Sequence, residues 1–200
     1  MQAAEVLSLF RSSRALLEGH FQLSSGRHSN QYFQCALLLA EPRHAERLAR
    51  AVAARLKLRG SPELVLGPAL GAVVWSQEVA RVLGLRSFFS ERVEGAMALR
   101  RGFELRPGER VLVVEDVLTT GGSVREVIAL VEQQGGVVVG VASIVNRSGV
   151  ANPFEAQGLP FTALAEVEAV SWPPAECPLC RSGAHGPAVK PGSRPGAAKA

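Results

Sequence analysis

Apolar and polar positions along the chain alternate between two kinds of pattern. Val6, Leu7, Leu9, Phe10, Leu16 and Leu17 fall on one face at helical spacing, which predicts an amphipathic helix over residues 3–18. Phe21 to Phe33 is a polar stretch between short strands. Glu41-Pro42 opens a second helix, with proline suited to its first turn, running to about Arg59 before Gly60-Ser61-Pro62 breaks it. Short strand-like runs, the central one wholly apolar, then recur: Leu64 to Gly67, Arg86 to Ser90, Val111 to Val114, Val137 to Val145 and Phe161 to Val167. They are too short for helices and are mostly β-branched, as buried strands are. Helical patterns at Val73 to Leu83 and Val124 to Val131 lie between them. Strand–helix alternation of this kind predicts an α/β fold with a mainly parallel sheet, right-handed crossovers and ligands at the carboxyl ends of the strands. Glu91 to Pro107 has weak periodicity and reads as a long loop or flexible hairpin, which in a compact domain is usually functional.

The densest chemistry lies at Val111-Leu-Val-Val-Glu-Asp-Val-Leu-Thr-Thr-Gly-Gly-Ser123. A buried strand feeding a Gly-rich turn and a helix N-terminus gathers free backbone N–H groups on an anion such as phosphate. Glu115 and Asp116 before the turn suit ribose hydroxyls or a magnesium ion rather than the phosphate itself. No lysine follows the glycines, so this is not a Walker loop, and the G-x-G-x-x-G spacing of dinucleotide binders is missing. A plain strand-to-helix turn would account for Gly121 and Gly122 but not for two acids ending a buried strand. Asp116 is the only aspartate in the chain. Two other strand ends carry polar or turn-forming residues: Pro68 to Gly71, and Asn146-Arg147.

Composition narrows the class. Two hundred residues fit one α/β domain. Hydrophobic content is 47% without an apolar run of membrane length, and no secretion signal opens the chain. Three cysteines make no disulfide framework, so a reducing cytoplasm is expected. The pI of about 9.4 belongs to the tail, where Arg181, Lys190, Arg194 and Lys199 meet no acid. The rest is formally neutral, which gives no basic face for nucleic acid.

The central stretch resembles the phosphoribosyl pyrophosphate signature of the type I phosphoribosyltransferases. The loop Leu23-Ser-Ser-Gly-Arg-His-Ser29, with Tyr32-Phe33 beyond it, resembles the hood of the orotate phosphoribosyltransferase family. The resemblance spans most of residues 5–170. It implies a mainly parallel sheet flanked by helices, a small N-terminal hood over about residues 1–40, and a phosphoribosyltransferase domain over 1–172. It further implies transfer of a 5-phosphoribosyl group from phosphoribosyl pyrophosphate to N1 of orotate, with Mg2+ as cofactor and a homodimer in which a mobile loop reaches the partner's site. By it, Glu115, Asp116, Val117, Leu118, Thr119, Thr120, Gly121, Gly122 and Ser123 hold phosphoribosyl pyrophosphate, while Thr119, Arg147, Tyr32 and Phe33 contact orotate.

The chain departs from the family pattern in three places. Ser24 replaces a lysine of the hood. In the mobile loop Arg92 matches, but Val93, Ala96 and Ala98 stand where two lysines and a histidine are usual. The Tyr-Lys pair after Gly-Pro-Ala is missing from Gly67 to Gly71. Arg100 and Arg101 are the nearest cations for pyrophosphate, so Asp116, Arg92, Arg100 and Arg101 form the expected catalytic set. A purine phosphoribosyltransferase is the closest rival, and a nucleic-acid-binding regulator on the same fold is a more distant one. Cys177-Pro-Leu-Cys180, with His185 nearby, is half of a zinc site, its missing ligands to come from Cys35 or a partner chain. Two thiols in a surface turn are the plainer reading, and no residue is assigned as a metal ligand. Residues 186–200, with three glycines, three prolines and no acid, read as a flexible tail.

Overall fold

The computed structural model describes residues 1–23, 25–168 and 170–191. Its elements in chain order are α1 (Ala3–Ser12), β1 (Leu16–Gln22), β2 (His28–Phe33), α2 (Cys35–Leu39), α3 (Pro42–Ala53), β3 (Leu64–Pro68) and α4 (Gly71–Leu83). There follow β4 (Arg86–Val93), β5 (Ala96–Leu99), β6 (Arg110–Leu118), α5 (Gly122–Gln133), β7 (Val137–Asn146), β8 (Phe161–Glu166), β9 (Ser171–Trp172) and α6 (Pro178–Ser182). Six strands form the main sheet in the order β5-β4-β3-β6-β7-β8, and β1-β2-β9 form a separate small sheet, the hood. All neighbours in the main sheet are parallel except β4 and β5.

Strand β6 shows why the sheet forms. Val111 to Val114 are fully buried, and successive side chains point to opposite faces. Leu112 and Val114 enter the core under α1, α3 and α4, with Trp75 and Leu48. Val111 and Val113 enter the core under α5, with Val127 and Val131. A strand covered on both faces needs apolar residues without alternation, the pattern seen in its sequence. Glycines set the closest approach. A Cβ at Gly67 would lie 2.7 Å from the Ala72 Cβ and 3.1 Å from the Ala72 and Val114 carbonyl oxygens.

Several expected boundaries move. The first helix ends at Ser12 rather than residue 18, because Arg14 takes a positive φ of 52° and Leu16 and Leu17 pair with Phe33 and Tyr32 in β1. The hood loop contracts to residues 23–27 between β1 and β2. Helix α3 stops at Ala53, not Arg59, since the Lys57 N–H donates to Thr162 Oγ1 and the Arg59 N–H to the Val139 carbonyl. Residues 91–99 form an ordered hairpin of β4 and β5, and only 100–107 remain irregular. Helix α2 and strand β9 were not foreseen. The chain beyond Trp172 folds back on the hood, where the Val189 N–H donates to the His20 carbonyl and the Gln22 N–H to the Val189 carbonyl. Residues 192–200, most of the expected tail, lie outside the described residues. No helix among the described residues is long and apolar enough to cross a membrane.

Candidate active site

Parallel pairing of β3, β6 and β7 brings their carboxyl ends to one edge of the sheet. The expected turn lies there. Gly121 caps α5 with φ 75°, a conformation in which glycine carries no Cβ penalty. Thr120 Oγ1 accepts a hydrogen bond from the Gly122 N–H at 3.4 Å. The turn sits at the N-terminus of α5, the positive end of the helix dipole.

Glu115 and Asp116 lie half-buried near the end of β6, which runs on past them to Leu118. The Asp116 carboxylate accepts the Val117 N–H at 2.7 Å. It also lies against the start of α4, where a Cβ on Gly71 would come within 2.8 Å of Asp116 Oδ2. Burial, reinforced by neighbouring Asp116, pushes the Glu115 carboxyl well above its usual range. Burial pushes the Tyr32 hydroxyl and the Cys35 thiol up as well, with the charge of Asp116 adding to both.

Beside the turn is a cleft of about 830 Å³. Its walls include Thr119 and Thr120, the hood residues Leu23, Ser25 and Arg27, and Arg147 after β7. Arg147 is 6% exposed, with its guanidinium 4.9 Å above the Phe33 ring and Nη2 3.5 Å from Ser29 Oγ. Its Nε is buried without a hydrogen-bond partner, and no carboxylate pairs with it among the described residues. Burial alone lowers its pKa, as for a cation removed from water without a counter-ion. The Arg147 N–H donates to the Leu118 carbonyl at 2.7 Å, tying the ends of β6 and β7.

The cleft gathers only part of the expected site. Thr119, Thr120 and Arg147 line it. Phe33 is a core residue, edge-to-face with Phe10 at 5.0 Å, and Tyr32 packs near Phe21. The hairpin cations are outside the cleft. Arg92 pairs with Glu126 at 2.7 Å and Arg101 with Glu91 at 2.9 Å, while Arg100 is exposed with no ion pair among the described residues. Sequence reasoning missed Arg125, one turn into α5. It donates to the Thr120 carbonyl at 2.7 Å and the Pro153 carbonyl at 2.9 Å, bracing the turn against the loop after β7. An arginine following a Gly-rich turn at helical spacing was the available signal. Arg27, which donates to Ser171 Oγ at 2.9 Å, ties the hood loop to β9.

A strand, acidic pair and small-residue turn at the edge of a parallel sheet are the construction of a phosphoribosyl-binding protein, and the model of the phosphoribosyl transferase domain matches residues 37–155. An orotate phosphoribosyltransferase of Heliobacterium modesticaldum is 54% identical over 97% of this chain and 100% of its own length. That of Pelotomaculum thermopropionicum is 52% identical over 97% and 99%. The Mycobacterium tuberculosis orotate phosphoribosyltransferase, solved in complex with Fe(III) dicitrate, superposes with a TM-score of 0.66 at 29% identity, covering 82% of this chain and 97% of that one. Adenine phosphoribosyltransferase of Thermoanaerobacter pseudethanolicus, at 18% identity and a TM-score of 0.58, shares the fold. The chain belongs to the orotate phosphoribosyltransferase family.

Proposed function

We propose that the protein transfers the 5-phosphoribosyl group of phosphoribosyl pyrophosphate to N1 of orotate, releasing pyrophosphate and forming orotidine 5′-phosphate for pyrimidine synthesis. The carrying observation is Arg147, a buried guanidinium at the cleft with an unpartnered Nε and no carboxylate. The orotate carboxylate is planar and accepts such a fork through charge-assisted bonds. A neutral purine base offers it no counter-charge.

The residues divide the work. The turn Thr119 to Ser123 and the N-terminus of α5 bind the 5-phosphate, and Arg125 keeps the turn in shape. Glu115 and Asp116 orient the ribose hydroxyls. Phosphoribosyltransferases of this type generally use Mg2+, and the paired carboxylates are the hard oxygen donors such an ion prefers. Glu115 and Asp116 would hold it, and when bound it neutralises charge on the diphosphate. As the bond to the anomeric carbon breaks, the sugar gains oxocarbenium character and the leaving group gains charge. No side-chain nucleophile is needed, so rate comes from positioning and from cations near the leaving oxygen. Arg100, which forms no ion pair among the described residues, is the hairpin cation best able to turn toward it. We take the working enzyme to be a cytoplasmic homodimer whose hairpin serves the neighbouring site.

Product formation from phosphoribosyl pyrophosphate with orotate, adenine, guanine and hypoxanthine tests the reading. Turnover with orotate alone is expected. Turnover with a purine base and none with orotate would replace it by the purine reading.

A further inference from the structure

Two histidines of the hood and two cysteines after β9 meet at one point. His20 lies on β1 and His28 on β2, while Cys177 caps α6 and Cys180 lies within it. One ligand atom from each lies within 4.8 Å of all the others. His20, His28 and Cys177 are buried, and Cys180 is exposed. The companions that the Cys-x2-Cys pair gains are therefore neither His185 nor Cys35.

Hydrogen bonding accounts for this cluster only in part. His20 Nδ1 is 2.9 Å from the Gly186 carbonyl oxygen, which only accepts, so Nδ1 carries the hydrogen and Nε2 presents a lone pair. Three groups crowd that lone pair: His28 Nδ1 at 3.0 Å, Cys177 Sγ at 3.5 Å and Cys180 Sγ at 3.6 Å. Cys180 Sγ is also 3.3 Å from His28 Nδ1. One lone pair accepts from only one of these neighbours at a time, whereas a single cation between them serves all four atoms. Zinc–nitrogen bonds of about 2.0–2.1 Å and zinc–sulfur bonds of about 2.3 Å at tetrahedral angles place nitrogens about 3.3 Å apart and nitrogen about 3.5 Å from sulfur. The observed nitrogen–nitrogen separation of 3.0 Å and the nitrogen–sulfur separations of 3.3, 3.5 and 3.6 Å come within about 0.3 Å of these values. The Gly186 carbonyl fixes the His20 tautomer and ring, as outer partners of metal-bound histidines do.

We propose that His20, His28, Cys177 and Cys180 bind one structural Zn2+ ion. Two thiolates and two imidazoles in a closed tetrahedron select zinc among the common divalent ions and leave no open position for catalysis. The ion clamps the segment after β9 to the hood. Because His20 and His28 flank hood loop 23–27, it also fixes both ends of the loop that lines the cleft.

Untagged protein purified under reducing conditions without chelator should contain about one zinc per chain by elemental mass spectrometry. Replacing the zinc with Co2+ should give a thiolate-to-cobalt charge-transfer band and the intense visible bands of a tetrahedral ion. Cys180→Ser, at the exposed ligand, should lower zinc content and weaken the charge-transfer band. Cys35→Ser should leave both unchanged. The wild-type measurements stand even if a variant folds poorly. Wild-type protein with less than about a tenth of an equivalent of zinc and no charge-transfer band with cobalt would overturn the proposal. So would zinc content and cobalt spectrum unchanged in Cys180→Ser.

Discussion

Gly71→Ala separates the positioning of Asp116 from the stability of the fold. Gly71 is the first residue of α4, and its φ is not in the left-handed region, so alanine fits the backbone. Helix propensity favours alanine there by up to about 1 kcal/mol. The added Cβ, however, would sit 2.8 Å from Asp116 Oδ2 and 3.1 Å from Cγ and Oδ1. Ordinary contact begins at 3.4 Å, so the carboxylate must retreat by about 0.6 Å. Displacements approaching 1 Å in a positioned group cost up to about 100-fold in rate. The expected result is a melting temperature within a few degrees of wild type and kcat/KM for phosphoribosyl pyrophosphate lower by about 10- to 100-fold. Gly67→Ala is the contrasting control. Its Cβ meets the Ala72 and Val114 backbone carbonyls, which cannot rotate away, so it should cost about 1–3 kcal/mol of stability. Thermal melts and initial-rate kinetics on both variants make the comparison. Full activity in Gly71→Ala would refute the view that Asp116 must hold its place against α4.

Three further outcomes follow from the same geometry. Asp116→Asn should fold normally and lose orders of magnitude in turnover, read by orotidine 5′-phosphate formation; near-normal turnover would remove Asp116 from the reaction. Arg100→Ala should lower kcat by more than about tenfold with orotate binding little changed, because a cation arriving with the leaving group acts in the transition state; mixing that variant with Asp116→Asn chains should restore activity if the hairpin serves the partner's site. Cys35, 2% exposed with its thiol pushed up by burial, should resist alkylation in the native protein and react on unfolding, by mass spectrometry.

The central strand, its acids and the turn were legible because their determinants are local. Continuous burial demands continuous apolar residues, and a turn with positive φ at Gly121 favours glycine. Boundaries set by distant partners were not. Leu16 and Leu17 fit a helical face as well as a strand, and only pairing with Tyr32 and Phe33 decides between them. Residues 54–59 keep a helical pattern, yet Thr162 and the Val139 carbonyl draw them out. Arg92 and Arg101 read as free loop cations because the glutamates that hold them are set by hairpin register and helix packing. The Cys-x2-Cys pair was visible, but its histidine companions come from the other end of the chain, with Cys180 and His28 152 residues apart in sequence. Arg147 was legible as a strand-end cation, and only the fold reveals that it is buried without a counter-charge.

That burial has a cost that can be measured. An unpaired guanidinium loses hydration worth several kcal/mol, and the contact with Phe33 returns only about 0.5–2 kcal/mol. The 3.5 Å approach to Ser29 Oγ is too long to add much. Arg147→Met keeps most of the side-chain volume and removes the charge, so the ligand-free protein should become more stable, by about 1–2 kcal/mol. Orotate, by supplying the missing carboxylate, should stabilise the wild type in proportion to its occupancy, about 2.7 kcal/mol at one hundred times its dissociation constant. The same concentration should leave the melting temperature of Arg147→Met unmoved. Differential scanning calorimetry with and without orotate reads both effects. A variant less stable than wild type without ligand would mean that Arg147 is held by the fold for its own sake, whereas a more stable variant blind to orotate would identify a charge kept in place for the substrate.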